Sequence, residues 1–338
     1  MAAPPFSERH DQAMRSADGS VCVIIAAWNA VHTVARAVAS ALAQPEVCEV
    51  VVIDDASGDD TALEALRACD GSGRLQVIGR LENFGPAAAR NLAIGETAAP
   101  FLAIVDSDDF LMPGRFAKLL TFTEWDAIVD DIAFVTESRF ADFKPDQVRS
   151  VSPEPEPLTF STFVRGNISD RKKPRAELGF IKPLIRREFL NAHGLRYDES
   201  LRLGEDYELY SRMLALGARF TKIRSCGYVA AERADSLSGS HRTTDLAALL
   251  EADRRLLDLP DLSAGDRLAL GAHIAHLAMK VHHRTILDEQ RVYGRLRGFG
   301  AAAARPRLLP GLMASVWHDK FAGTAAPQLT NGVRYLFG

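Results

Sequence analysis

The sequence has few of the features that mark secreted, membrane-spanning or metal-ribbon proteins. Its four cysteines show no CxxC or CxxH spacing, which is typical of reduced thiols in a cytoplasmic protein. The longest apolar run, at 21–28, is far shorter than the ~20 residues of a membrane-spanning helix. Residues 1–20 lack an apolar core, so they predict a flexible leader and no secretory signal.

Basic charge does not exceed acidic charge. The chain has 40 Lys and Arg against 44 Asp and Glu, a net charge of −4, so no nucleic-acid partner is expected. A length of 338 residues, 47% hydrophobic and 25% charged, is typical of a globular protein with one large or two modest domains. Internal repeats and a GxGxxG motif are missing. Four histidines do not form an HExxH motif and are therefore not expected to bind metal: His273, His276, His282 and His283.

What the sequence does have is an alternation of short apolar runs and helical patterns. Strands are predicted at 21–27, 50–53, 75–78 and 101–105, and helices at 31–42, 59–68 and 85–95. This order is typical of a parallel sheet covered by helices on both faces. Beyond 109 the pattern loosens. A further helix is predicted at 201–217, and residues 244–338 are expected to be helical.

Chemically active residue types come directly after the predicted strands. Ligands bind at the carboxyl ends of parallel strands, and these ends read Ala26-Ala27-Trp28-Asn29, Asp54-Asp55 and Asp106-Ser107-Asp108-Asp109. So many carboxylates at one rim favour a site for Mg²⁺ or Mn²⁺, which prefer oxygen ligands alongside substrate phosphates. Two alternatives stay open: the pair at 54–55 could cap the next helix, and 106–109 could be a simple turn. A receiver or phosphatase would need its acid after the first strand, where Trp28-Asn29 stands instead.

Five segments together resemble family 2 glycosyltransferases of the GT-A fold. In order they are VIIAAWNA, VVIDDASGDDT, NFGPAAARN, IVDSDDFLMPGR and GEDYELYSRML. Within that family, these sequence segments are most similar to bacterial exopolysaccharide glucosyltransferases of the succinoglycan type. The resemblance implies an α/β fold with a Rossmann-like, mostly parallel central sheet. It also implies a catalytic domain at 21–243, with a nucleotide-binding half at 21–110 and an acceptor half at 111–243, followed by a helical C-terminal region.

The resemblance implies roles for the residues at the donor side. Ala26 and Trp28 match the positions that flank the nucleobase, and Asn29 is next to them. Asp55 matches the acid that accepts a hydrogen bond from the uracil N3–H. Arg90, in the motif ARN, is expected near the uridine or the diphosphate.

The remaining roles concern the metal and the reaction. Asp106 and Asp108 match the DxD motif and are the expected metal residues, with Asp108 as the direct ligand and Asp106 nearer the sugar or ribose. Asp206 matches the catalytic base, although an acid at a helix start could also serve only the helix dipole. Arg233 stands where the family has a histidine that contacts the diphosphate, and His241 is a possible substitute for it.

The implied activity is inverting, metal-dependent transfer from a UDP-sugar, expected to be UDP-glucose. The implied acceptor is a saccharide or a polyprenyl-diphosphate-linked oligosaccharide at the cytoplasmic face of the inner membrane. A nucleotide-sugar-binding protein without transferase activity is the alternative. A nucleotidyltransferase would need a glycine-rich basic loop after the first strand, which is missing. The basic stretch at 165–187 is interpreted as a solvated face, with a loop over the diphosphate or a face toward a polyprenyl-diphosphate acceptor as alternatives. For the basic C-terminal helices, packing against the catalytic domain is expected, and contact with an anionic membrane surface is the alternative.

Overall fold

The computed structural model describes residues 21–136, 140, 143, 154–168, 177–232, 242–293 and 333–337. The predicted leader at 1–20 lies outside these ranges, as do Arg233 and His241.

The first half of the sheet has the predicted alternation. The strands are β1 (Val21–Ala27), β2 (Val47–Asp54), β3 (Leu75–Gly79) and β4 (Phe101–Ile104), and the helices are α1 (Val34–Leu42), α2 (Thr61–Arg67) and α3 (Pro86–Gly95). All three strand pairings within this half are parallel. The β-branched side chains of β1 and β2 are buried, as expected for a sheet covered on both faces. Their carboxyl ends therefore meet at one rim.

The second half continues the same sheet in a mixed order. Its strands are β5 (Phe110–Leu111), β6 (Ala127–Thr136), β7 (Pro155–Pro157), β8 (Leu184–Arg186) and β9 (Phe220–Glu232). Its helices are α4 (Arg115–Leu119), α5 (Phe160–Arg165), α6 (Arg187–Ala192) and α7 (Glu205–Ala215). The main path of the sheet is β3-β2-β1-β4-β8-β6-β9-β5. Strand β8 is antiparallel to both β4 and β6 and so interrupts the parallel order, which returns where β6 pairs with β9.

Helix α7 begins later than its sequence pattern predicts. It starts at Glu205 instead of residue 201, because Gly204 before it has a left-handed backbone with φ of 74°. Its side chains Tyr210, Met213 and Leu214 are all buried. That packing fixes the orientation of the helix and of the acids in its first turn.

The C-terminal region is helical where the structure describes it, with one exception. Helices α8 (Thr243–Leu256) and α9 (Ala264–Tyr293) precede strand β10 (Val333–Tyr335), which pairs antiparallel with β6. The sequence pattern did not predict this strand. The boundary at 243 stays a prediction. Across the described ranges, every helix is too short or too polar to cross a bilayer.

Candidate active site

The loop after β1 is tied to the loop after β2. Trp28 is half exposed there, and Ala26 is partly buried. Asn29 has a left-handed backbone with φ of 50°, and its side-chain oxygen accepts the N–H of Gly58 at 2.8 Å. Its own N–H donates to the hydroxyl of Ser57 at 2.9 Å. These bonds fix the loop and leave a broad aromatic surface in solvent at the rim.

Asp55 is buried at the end of β2 and holds the loop that leads into α3. Its two oxygens accept the backbone N–H groups of Phe84 at 3.2 Å and Gly85 at 2.6 Å. The guanidinium of Arg80 lies 3.3 Å away. Capping of α2 is therefore not its role, since Asp59 accepts the N–H of Thr61 at the start of that helix.

Residues 106–109 form the predicted turn, but their side chains diverge. The N–H of Asp109 donates to the carbonyl of Asp106 at 3.0 Å. The Asp109 side chain is buried and accepts the hydroxyl of Tyr228 at 2.7 Å and the N–H of Ala231 at 3.0 Å. Burial, together with Asp108 and Asp106 nearby, raises the pKa of Asp109 well above its usual range. The turn is thus anchored to β9 by one acid, and its other two acids are partly exposed.

Five charged side chains meet behind this turn and form a charge cluster: Arg90, Asp106, Lys182, Glu205 and Asp206. The guanidinium of Arg90 lies 3.0 Å from Asp106, 2.8 Å from Glu205 and 3.1 Å from Asp206. The ammonium of Lys182 lies 2.9 Å from Asp106 and 2.8 Å from Asp206. The structure therefore brings together three of the predicted site residues.

The charge cluster contains more acid than base. Three carboxylates face two cations, so a net charge of −1 remains when all five are ionised. Burial alone would raise the pKa of Asp106, but Lys182 and Arg90 outweigh it and hold that pKa below its usual value. Burial would likewise lower the pKa of Lys182, yet Asp106 and Asp206 raise it above its usual value. Asp106 and Lys182 therefore stay charged near neutral pH.

Lys182 belongs to no recognised motif, so its sequence context does not single it out. It lies in the basic stretch at 165–187, of which residues 169–176 are outside the described ranges. The interpretation of that stretch as a solvated face is wrong for two of its members. Lys182 and Arg187 are buried, and Arg187 donates to the carbonyls of Ala99 and Ile94. Lys182 can be identified only by its short distances to Asp106 and Asp206 in the folded structure. A local sequence pattern does not encode those distances.

A second buried polar group, the helix-pair network, lies on the other side of α7 and consists of Tyr207, Asp253 and His273. The hydroxyl of Tyr207 donates to Asp253 at 3.0 Å, and the Nδ1 atom of His273 lies 2.6 Å from the same carboxylate. Asp253 belongs to α8 and His273 to α9, and both are buried. The network therefore ties the helix that carries Asp206 to the two C-terminal helices.

The described residues do not contain a group of three or more His, Cys, Asp or Glu side chains arranged around a metal. The donor set still fits a hard cation that shares its ligands with a substrate. Mg²⁺ commonly uses one or two carboxylates together with substrate phosphates. Asp106 and Asp108 are partly exposed carboxylates of the turn, and Asp106 also contacts Arg90 and Lys182. Both are carboxylates of the type that could hold such a cation.

The chain is similar in sequence to a family model and to several known proteins. Residues 22–185 match the model of the family described as "Glycosyl transferase family 2". The succinoglycan biosynthesis protein ExoU of Rhizobium meliloti (strain 1021) is 48% identical over 95% of this chain and 96% of its own length. ExoO of the same strain is 33% identical over 89% of this chain and 82% of its own.

The overall fold also has solved counterparts. The crystal structure of S. aureus TarS 1–349 in complex with UDP-GlcNAc superposes with a TM-score of 0.56 at 18% sequence identity. The match covers 88% of this chain and 81% of that one. At this identity the likeness concerns the fold alone, and it confirms the predicted GT-A architecture.

Proposed function

This chain belongs to glycosyl transferase family 2, and on that premise we propose that it transfers a sugar from a UDP-sugar to a saccharide acceptor with inversion at C1. The observation that supports this most is the charge cluster, in which Asp206 and the turn acid Asp106 share the cations Arg90 and Lys182. An inverting displacement needs a base close to the donor, on the side opposite the leaving group. Asp206 meets the requirement of proximity.

In the proposed reaction Asp206 accepts the proton of the acceptor hydroxyl. The acceptor oxygen forms its bond to C1 as the bond between C1 and the diphosphate oxygen breaks, and that bond's electron pair leaves with UDP. Proton transfer to a positioned base contributes about 10²–10⁴ to such rates. Arg90 keeps the base on the donor side by binding Asp206 and Asp106 with one guanidinium.

The proposal includes a divalent cation, Mg²⁺ or Mn²⁺. Asp108 would hold it, with Asp106 beside it, and a bound cation would neutralise the charge of the departing diphosphate. Lys182 and Arg90 hold the pKa of Asp106 below its usual value, so this acid is ionised and can stand beside Asp108 at the cation.

The uracil is proposed to stack on Trp28 and to donate its N3–H to Asp55. Trp28 is exposed at the rim, which leaves one face of its ring for a base. Asp55 accepts two backbone N–H groups, and a carboxylate has about four lone-pair sites, so it can accept a further bond. Arg233, outside the described residues, remains the proposed diphosphate contact, with His241 as its alternative.

The sugar and the acceptor are proposed from the relatives. ExoU and ExoO are named succinoglycan biosynthesis proteins, which supports a growing exopolysaccharide unit as acceptor. Glucose as the sugar, a polyprenyl-diphosphate carrier, and peripheral contact with the cytoplasmic face of the inner membrane are parts of the same proposal. Lys182 and Arg187 of the basic stretch at 165–187 are buried, so its other basic residues are the ones proposed to contact an anionic surface or a diphosphate.

One observation favours the alternative, a nucleotide-sugar-binding protein without transferase activity. Both oxygens of Asp206 face cations, Arg90 on one and Lys182 on the other, as they would if the acid only held the structure together. A carboxylate oxygen can accept two hydrogen bonds, so this contact does not by itself prevent proton transfer. The test must therefore separate catalysis from binding.

The deciding experiment compares Asp206→Asn with Glu208→Gln in a UDP-release assay with purified lipid-linked acceptor. Glu208 is a buried acid on the same helix, paired with Arg212, and so serves as the matched control. We expect Asp206→Asn to lower transfer by about 10²–10⁴ with little change in UDP-sugar affinity, and Glu208→Gln to keep transfer within a few fold. Near-normal transfer by Asp206→Asn would favour the binding protein.

The same assay tests the cation. Wild type is measured with Mg²⁺, with Mn²⁺ and with EDTA, and Asp108→Asn is measured alongside. We expect EDTA to abolish transfer and Asp108→Asn to weaken cation and UDP-sugar binding together. Full activity in EDTA would remove the cation from the proposal and leave the base assignment standing.

A further inference from the structure

Lys182 is a buried lysine at the meeting point of two acids with different proposed tasks. Its ammonium lies 2.9 Å from Asp106, at the turn after β4, and 2.8 Å from Asp206, at the start of α7. Its side chain is only 7% exposed. An ammonium has three N–H donors, and the contacts seen among the described residues use two of them. One donor is left for a group that enters between the acids.

The backbone at Lys182 is hydrogen-bonded to a buried ion pair. Arg115 binds Asp130 through two nitrogens, and its Nη2 atom also donates to the carbonyl oxygen of Lys182. A side chain at Gly227 would overlap this pair, because its Cβ would clash with an oxygen of Asp130. Burying an ion pair is costly and is compensated only by good geometry. The hydrogen bond from Arg115 therefore fixes the backbone position from which the Lys182 side chain extends.

The ammonium lies beside the turn that is proposed to face the diphosphate. If the turn at 106–109 does so, a diphosphate oxygen next to Asp106 comes within reach of Lys182, which lies 2.9 Å from the same acid. Preorganised donors near developing negative charge are usually the largest single term in catalysis. The cluster as a whole carries a net charge of −1, so a diphosphate has to be held there by one of its cations.

We propose that Lys182 is a further catalytic residue, which donates a hydrogen bond to the diphosphate of the donor. As the bond between C1 and oxygen breaks, its electron pair moves to the diphosphate oxygen, and Lys182 stabilises that charge without giving up a proton. This inference rests on the proposed function. The competing view is that Lys182 only neutralises Asp106 and Asp206.

The two views differ in which ligands lose affinity when the ammonium is removed. Calorimetry would compare uridine, UMP and UDP on wild type, Lys182→Met and Lys222→Met, in EDTA and again with Mn²⁺. Lys222 pairs with Glu156 at 2.9 Å, outside the charge cluster, and is the matched control. We expect Lys182→Met to lose UDP affinity by about 10- to 100-fold and uridine affinity by less than about twofold. Lys222→Met should match wild type for all three.

A second pair of variants protects the test against misfolding. Lys182→Met leaves the cluster one cation short, whereas the double variant Lys182→Met/Glu205→Gln removes one charge of each sign and keeps the net charge. Its reference is Glu205→Gln alone, and the same selective loss of UDP affinity is expected. Equal losses for uridine and UDP, or no loss for UDP, would overturn the role of Lys182.

Failure of the proposed function would look different. It would appear in wild type, as UDP bound no better than uridine, or in Asp206→Asn, as undiminished transfer. If wild type prefers UDP, Asp206→Asn is inactive and the UDP preference survives in the Lys182 variants, only the inference about Lys182 falls. Transfer by Lys182→Arg gives a further readout, because a guanidinium keeps the charge and should restore part of the lost rate.

Discussion

Two buried polar networks flank α7, and they are built differently. The charge cluster on the side of Asp206 has three acids and two cations, and Asp106 within it is 35% exposed. The helix-pair network on the side of Tyr207 has one acid, Asp253, which is fully buried between a tyrosine hydroxyl and a histidine. Neighbouring residues of one helix thus face opposite electrostatic surroundings.

The difference separates a stabilising role from a reactive one. In the helix-pair network the acid meets donors from two helices, and such satisfied networks make a structure rigid. The charge cluster has an excess of acid, and its partly exposed member Asp106 lies in the turn at 106–109. A cation or a cationic donor bound at that turn would compensate the excess negative charge. We therefore expect disruption of the first to cost stability and disruption of the second to cost transfer.

The largest stability effect is expected for Asp253→Ala. It leaves the hydroxyl of Tyr207 and the ring of His273 buried without their shared acceptor, which should lower the free energy of unfolding by about 3 kcal/mol. Urea unfolding monitored by circular dichroism measures this. Asp258→Ala, an acid just after α8, is the control and should change stability by less than about 0.5 kcal/mol. If Asp253→Ala lost transfer but kept its stability, the helix-pair network would have a role in catalysis and not the stabilising role expected of it.

A smaller effect is expected at Asp131, a largely buried acid outside both networks. Burial raises its pKa to about 6, although the N–H groups of Phe337 and Ile132 donate to it. Because this pKa is higher folded than unfolded, the folded state holds the proton longer, and stability falls as pH rises from about 4 to about 6. Asp131→Asn keeps the acceptor oxygen and removes this fall, so above pH ~6 it should be more stable than wild type by roughly 1–2 kcal/mol.

The measurement is unfolding by urea at a series of pH values for both proteins. The difference in stability should grow between about pH 4 and about pH 6 and stay level above. A difference in stability that does not change with pH would show that Asp131 has an ordinary pKa and would contradict this prediction. Asp106 is the contrasting case, because its cation partners lower its pKa.

The smallest effect is expected for Glu205→Gln. Glutamine keeps an oxygen for Arg90, now 2.8 Å from the glutamate, and removes one charge from the acid excess. Stability should change by less than about 1 kcal/mol, and transfer by less than about 10-fold. A stability loss as large as that of Asp253→Ala would mean that the charge cluster is as structural as the helix-pair network.

The first half of the sheet, β1 to β4, was predictable because its signals are local. A buried parallel strand is a continuous run of β-branched residues, and β1 was predicted with its observed bounds, Val21–Ala27. Beyond residue 109 the long strands β6 and β9 were missed. Strand β6 contains the acids Asp130 and Asp131 within an otherwise apolar run, and only their partners, Arg115 and the N–H of Phe337, explain their presence there.

The same distinction applies to the site. The sequence by itself determined which strand ends carry acids and an aromatic, since the residues after each strand are its immediate neighbours along the chain. It also placed Asp206 within a predicted helix, at 201–217. Only the tertiary structure decided that Asp55 binds the loop at 84–85 and that Lys182 joins Asp106 to Asp206. Those contacts bridge residues far apart along the chain, and no local pattern encodes such a distance because it is set by how the strands and helices pack.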